Sequence, residues 1–301
     1  MLTYSAVSLL KGLKTNFLRQ FQATASNVAM IASILKSDSD YETYGFLGEL
    51  PQVREFLAER QVVGLQDASY IVRNRTWEST LGVKREDLED DKLGALPVRI
   101  GEMAANAKQH AMTLLAETLA AGDSTNCYDG TPFFYDSHPA RGQQTAVQDN
   151  LLTGSGTSVS NLSTDLALGK ARLKRQLDEG GKPFRSSWGK IVVCAPPELE
   201  HSFQSILNPE ATMISNSSNV QRGEYELLIM PELTNASDWY MLHVGGVLKP
   251  LILQERKPVE FTAMDSSTDE AFFMRGIAMY GTYGRYAGAY GMWQDAVKID
   301  N

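Results

Sequence analysis

One short stretch gathers side chains able to hold a divalent metal. In Cys127-Tyr-Asp129-Gly-Thr-Pro-Phe133-Phe134-Tyr135-Asp136-Ser-His138-Pro139, an aspartate and a histidine stand two apart with a second aspartate upstream. A hydrolytic centre built on Asp129, Asp136 and His138 would need at least one further ligand and a general base. The chain has four histidines, and His110, His201 and His243 lie in segments with no evident route to this stretch. The simpler reading makes Asp129-Gly130 a turn, with Asp136 and His138 hydrogen-bonding the loop backbone. A metal-dependent hydrolase is kept only as the alternative.

Other chemistries fail on spacing. Ser155 sits in Gly154-Ser155-Gly156, without the Gly-x-Ser-x-Gly pattern or preceding apolar strand of a nucleophile elbow. The carboxylates Glu86, Asp87, Glu89, Asp90 and Asp91 crowd together, where a calcium loop needs alternate ligands and a central glycine. Gly281, Gly284, Gly288 and Gly291 miss the dinucleotide fingerprint. Cys127 and Cys194 are too few for a disulfide framework or a structural zinc site. The expectation is no catalytic residue, no cofactor and no metal: not an enzyme.

The 28 basic and 36 acidic residues give a formal charge of −8, which excludes a globally basic nucleic-acid binder. That charge divides into a +4 arm, Met1 to Lys36 with no acidic residue, and a body of −12. No run of 18 apolar residues offers a membrane span, and the N-terminus lacks a secretory pattern, so a soluble intracellular protein is expected.

The elements that must position these residues follow from periodicity. Val7, Leu10, Leu13, Phe17, Leu18 and Phe21 recur at helical steps and predict an amphipathic helix docked on its own fold or on a neighbouring subunit. A short helix is expected over 52–59 behind Pro51. The run from Tyr70 to Trp77 has strand composition, yet neither face is cleanly apolar, which predicts a projecting ribbon that finds its partners elsewhere. The strongest helix spans Pro97 to Ala121, with Ile100, Met103, Ala104, Leu114, Leu115 and Leu119 on one face and Gly122 ending it. At 1.5 Å per residue it would be roughly 36 Å long, a structural spine. An irregular connection follows over 126–156. Ser163 is expected to cap a helix over 164–179, with a buried strand at 190–195 and a helix carrying Leu199, Phe203, Ile206 and Leu207 next. Strands are expected at 225–230, 239–244, 248–253, 259–263 and 272–280, then a Gly- and aromatic-rich packing segment over 281–293.

Taken in order, Gly48-Glu49-Leu-Pro-Gln-Val-Arg54-Glu-Phe56, Asn74-Arg75-Thr-Trp77 to Val83, Glu89-Asp90-Asp91-Lys-Leu-Gly94, the spine helix, Tyr128-Asp129-Gly130-Thr-Pro-Phe133-Phe134 to His138-Pro139, and Tyr283-Gly284 to Gln294 make a pattern. Over essentially the whole chain this series resembles the major head subunit family of Mu-like tailed phages.

The resemblance implies an α+β, HK97-type major capsid fold. Its parts would be an N-terminal arm (1–43), an extended loop reaching over a neighbour (44–96) and a peripheral domain with the spine helix (97–161). An axial domain (162–250) and C-terminal strands completing both domains (251–301) would follow. The implied function is a structural major capsid protein that self-assembles into an icosahedral head enclosing double-stranded DNA, with an encapsulin-like compartment shell as the alternative. The chief partner would be the chain itself, as pentamers and hexamers. A separate scaffold, a portal and decoration proteins would be further partners, with packaged DNA touched non-specifically and no membrane. The protein would be assembled in the host bacterial cytoplasm and reside in the virion. Charged groups select register across repeated contacts while an aromatic anchors them. Arg54, Arg73, Arg75, Trp77, Lys84, Arg85, Glu89, Asp90 and Asp91 are the candidate inter-subunit residues.

Overall fold

The structure is a computed structural model that describes residues 6–45, 70–89, 94–141, 144, 146–185, 189–210, 213–214, 217–265 and 269–301. It opens with α1 (Ala6–Ala23), α2 (Val28–Ile31), β1 (Ala32–Lys36), β2 (Tyr41–Thr43), β3 (Ile71–Arg73), β4 (Arg75–Lys84), α3 (Arg85–Glu89) and α4 (Ala95–Ala120). The middle of the chain forms β5 (Leu151–Thr153), α5 (Val159–Arg175), β6 (Ile191–Ala195), α6 (Glu200–Leu207), β7 (Met213–Ile214), β8 (Ser217–Ser218) and β9 (Glu226–Ile229). Last come β10 (Trp239–His243), β11 (Leu251–Met264), α7 (Glu270–Arg275), β12 (Ile277–Tyr290) and β13 (Ala296–Asp300).

Two sheets organise these elements, one ordered β1-β11-β12-β4 and the other β5-β13-β10-β6-β9. In the five-stranded sheet the period of two shows directly. Val192 and Cys194 of β6, with Tyr240 and Leu242 of β10, face a core shared with α4 and the other sheet. Their neighbours Val193, Ala195, Trp239 and Met241 face α5 and α6. Both faces of β6 are therefore dry, which explains its continuous apolar run.

The spine α4 starts two residues earlier than the periodicity predicts, leaving Pro97 within the first turn, where its missing N–H has no partner to lose. Its 26 residues span about 39 Å. Ile100, Met103 and Ala104 meet Leu13 and Phe17 of α1 in a core with Phe261 and Tyr280. The expected amphipathic helix thus docks on its own chain; Leu18 falls off the stripe and is 44% exposed.

Several expectations need correction. Helix α5 is capped by Ser158, whose hydroxyl accepts from the Asn161 N–H, and begins five residues before Thr164. Ser163 instead bonds to Gln221. The helix stops at Arg175 because Gln176 and Leu177 turn away to bond with Asp149 and Gln148. The two strands expected at 248–253 and 259–263 are one strand, β11, with register shifts on both sides of Lys257 that accommodate Pro258. The strand expected over 272–280 begins as α7, which Gly276 ends in the left-handed region at φ 60°. Strand β12 then runs through most of the expected packing segment, its glycines alternating with aromatics.

The ribbon also reads differently. It is two strands broken at Asn74, and β4 pairs antiparallel with β12 along its full length, Arg75 to Lys84, as the outer strand of the sheet. One of its faces is partly buried, with Trp77 against one core and Leu81 and Val83 against another, and Ser79 exposed between them. The helix expected at 52–59 lies outside the described residues.

Candidate functional site

The stretch from Cys127 to His138 folds back so that two of its three candidate ligands meet. His138 Nδ1 lies 2.7 Å from Asp129 Oδ2, while Asp136 is exposed and takes no part. Asp129 Oδ1 accepts from the Thr131 amide at 2.9 Å, the Thr131 hydroxyl at 2.8 Å and the Cys127 thiol at 3.1 Å. The other imidazole nitrogen is 3.1 Å from Asn150 Oδ1, and the ring stacks on Trp293 at 3.8 Å and 4°. Burial alone would raise the Asp129 carboxyl, but the bonds from His138, Thr131 and Cys127 outweigh it and hold it below its ordinary value. Burial pushes the Cys127 thiol far up, the state of an inert small hydrophobe. The expected turn forms at Asp129-Gly130, but the His138 ring bonds side chains, Asp129, Thr131 and Asn150, and not the loop backbone as expected.

The C-terminal turn beside this cluster carries partners that sequence reasoning missed. Tyr128 donates its hydroxyl to Gln294 at 2.9 Å. Asp295, fully buried, accepts from Arg185 Nη2 at 2.6 Å and meets His243 Nδ1 at 2.9 Å. Lys298 is buried between Asp123 at 2.5 Å and Asp238 at 2.9 Å; burial would lower its ammonium, and those two carboxylates hold it firmly charged. The members of these pairs lie 52 to 175 residues apart, beyond any spacing rule. Ser155, tested as a nucleophile, gives its N–H and hydroxyl to Asp165.

The surface candidates fall into two groups at opposite ends of β4. At one end Arg73 and Arg75 are exposed and border a hollow of about 440 Å³ together with Glu117, Thr118 and Tyr290. Arg75 lies over the Trp77 ring at 4.7 Å. Trp77 is half-buried in its own subunit, where its indole N–H donates to the Tyr286 carbonyl at 3.0 Å and its ring meets His110 at 4.4 Å. About 30 Å away, at strand rise, Lys84 and Arg85 are exposed. The Arg85 amide donates to the Gly276 carbonyl at 2.8 Å, and its guanidinium lies 5.6 Å from the Phe272 ring. Glu89 closes α3. Arg54, Asp90 and Asp91 lie outside the described residues. Among the described residues no strand pairs with the outer edge of β4.

Comparison with known proteins completes the picture. Residues 7–170 and 230–301 match the model of the family described as the Mu-like prophage major head subunit gpT. The Mu-like prophage FluMu major head subunit of Haemophilus influenzae is 27% identical over 97% of this chain and 72% of its own length. The major capsid protein of Escherichia phage Mu is 26% identical over 96% of this chain and 73% of its own. The subunit of the procapsid of bacteriophage JBD30 superposes with a TM-score of 0.59 at 27% identity, covering 99% of this chain and 76% of that one.

Proposed function

The chain belongs to the Mu-like prophage major head subunit family, and from that premise we propose how its surface builds a shell. It is a major capsid protein with the HK97-type fold, the subunit whose copies form the head. The observation that carries this is agreement between sequence and fold across almost the whole chain. The compartment-shell alternative gives way, because the curated relatives that span the chain are head subunits.

In the proposal, copies assemble in the host bacterial cytoplasm as pentamers and hexamers, with a separate scaffold, a portal and decoration proteins. Arg73 and Arg75 at one end of β4, and Lys84 and Arg85 at the other, meet carboxylates of neighbouring copies, Glu89, Asp90 and Asp91 foremost. Trp77 serves these contacts by fixing the strand that carries the arginines. The acidic balance of −8 supports a wall that touches packaged DNA only non-specifically, since each neutralised phosphate would add affinity that hinders packaging and release.

Expression of the full chain, alone and with a candidate scaffold, followed by sedimentation and electron microscopy, tests the reading. Large hollow shells are expected in at least one condition. A protein that stays monomeric in both would overturn it.

A further inference from the structure

The long hairpin of β11 and β12 ends in an apolar pair that its own chain leaves in water. Strand β1 accompanies β11 from Leu251 to Glu255, and beyond that point the sheet narrows, among the described residues, to β11, β12 and β4. Helix α7 joins the two long strands at the far end, about 43 Å along β12 from Tyr290 at strand rise. Its seat is internal. Phe272 packs against the core that α1 and α4 share with the sheet, the Arg85 guanidinium lies 5.6 Å from its ring, and the Arg85 amide donates to the Gly276 carbonyl. The next two side chains turn away from that core: Phe273 is 78% exposed and Met274 71%. Among the described residues no aromatic ring is more exposed, and Met264 at the end of β11 adds a third exposed apolar group.

A single apolar side chain in water is ordinary, whereas a cluster inside a polar rim marks a contact surface. The rim here carries both signs. Lys84, Arg85 and Arg275 are exposed at this end, and so are Glu86 and Glu270. A rim of one sign would suit a partner of the other sign and repel copies of itself. Mixed signs make the tip complementary to itself after rotation, with a basic group of one copy set against an acidic group of the next.

We propose that the α7 tip is a contact between copies of this chain, in which Phe273 and Met274 pack against the same pair of a neighbouring subunit while Arg275 and Lys84 face its Glu270 and Glu86. The inference rests on the shell reading and adds to it an apolar anchor that the charges of β4 do not supply. A patch of this size is far below the area of a stable free dimer, so the contact closes where other contacts already hold the copies side by side. It belongs to the shell and not to the free subunit.

The test uses the full chain under conditions in which the parent forms shells. Phe273→Ser combined with Met274→Ser should keep the parent unfolding midpoint, since both side chains are exposed, and yield about tenfold fewer shells or less. Phe273→Cys, co-assembled with an equal amount of parent, should give copies joined by a disulfide after mild oxidation, because Cys127 and Cys194 are buried and do not compete. If the double-serine variant proves unstable, the cross-link decides alone. Shells at the parent yield from a stable double-serine variant, or co-assembled shells whose new thiols stay unlinked, would overturn the inference. Either result leaves the shell reading intact, which fails only if the parent itself forms no shells.

Discussion

Gly122 shows how one missing atom can organise a junction. It follows the spine helix in a short 3-10 turn, and a Cβ placed on it would lie 2.5 Å from the buried Phe134 ring. The spacing assigns this glycine to ending the helix, whereas its use is close approach. Gly122→Ala is expected to lose about 1–3 kcal/mol through overpacking, read as a lower urea midpoint at unchanged slope. Gly12→Ala, in a helix and with nothing within 4 Å, should gain up to about 1 kcal/mol in the same assay. Equal midpoints for the two variants would remove the packing argument. Asp129 gives a pH-dependent counterpart. Its folded value lies below the ordinary 3.8, so its stabilisation is present above pH 3.8 and fades as pH falls through the lower folded value. Acid unfolding of Asp129→Asn should lack that component, and an identical acid limb would show that another carboxylate carries it. Only the short-range part of this cluster was legible in the sequence. Asp129 and His138 stood out by type and proximity, but Trp293 is brought to them by the path of β12 and leaves no spacing to read.

At the scale of elements, a strand or helix was legible where one face is apolar and large. The stripe on α4, the continuous run of β6 and the Phe203–Ile206–Leu207 face of α6 all belong to that kind. Strand β12 was not, because Gly284 and Gly288 replace the apolar residues that would mark alternation. Gly288 has a reason of its own: a Cβ there would lie 2.5 Å from the Thr118 hydroxyl, so the glycine lets α4 lie close on the sheet. Cap propensity alone places the start of α5 at Ser163 and does not fix which serine the chain uses. Geometry does, since Ser158 has extended backbone angles and accepts the Asn161 N–H at 3.3 Å. Ser158→Ala is accordingly expected to cost about 1 kcal/mol, in the ordinary range for a lost N-cap. Thermal unfolding should show the lower midpoint, and an unchanged one would place the effective cap elsewhere.

For the whole molecule, the charge map connects the single subunit to the shell. The +4 of the first 36 residues could suggest an arm that ties acidic subunits together, yet from Gly12 onward its helix is seated on its own spine through Leu13 and Phe17. Among the positive groups facing outward along this face of the chain are those at the two ends of β4. A folded subunit needs little from them there: Arg73, Arg75 and Lys84 are exposed, surface charges contribute little to stability, and among the described residues only the stack of Arg75 on Trp77 is internal. In the proposed contacts they face carboxylates of neighbouring copies, where a like charge would cost energy at every repeat. Arg73→Glu combined with Arg75→Glu is therefore expected to lower the stability of the subunit by no more than about 1 kcal/mol, the loss of the Arg75–Trp77 stack included, while abolishing shells in sedimentation. Raising salt from about 0.1 M to about 1 M shortens the screening length from about 10 Å to about 3 Å, so parent assembly should slow and the defect of the double variant should shrink. Normal shells from the double variant at low salt would remove these arginines from the contact and leave the edge of β4 without a role in assembly.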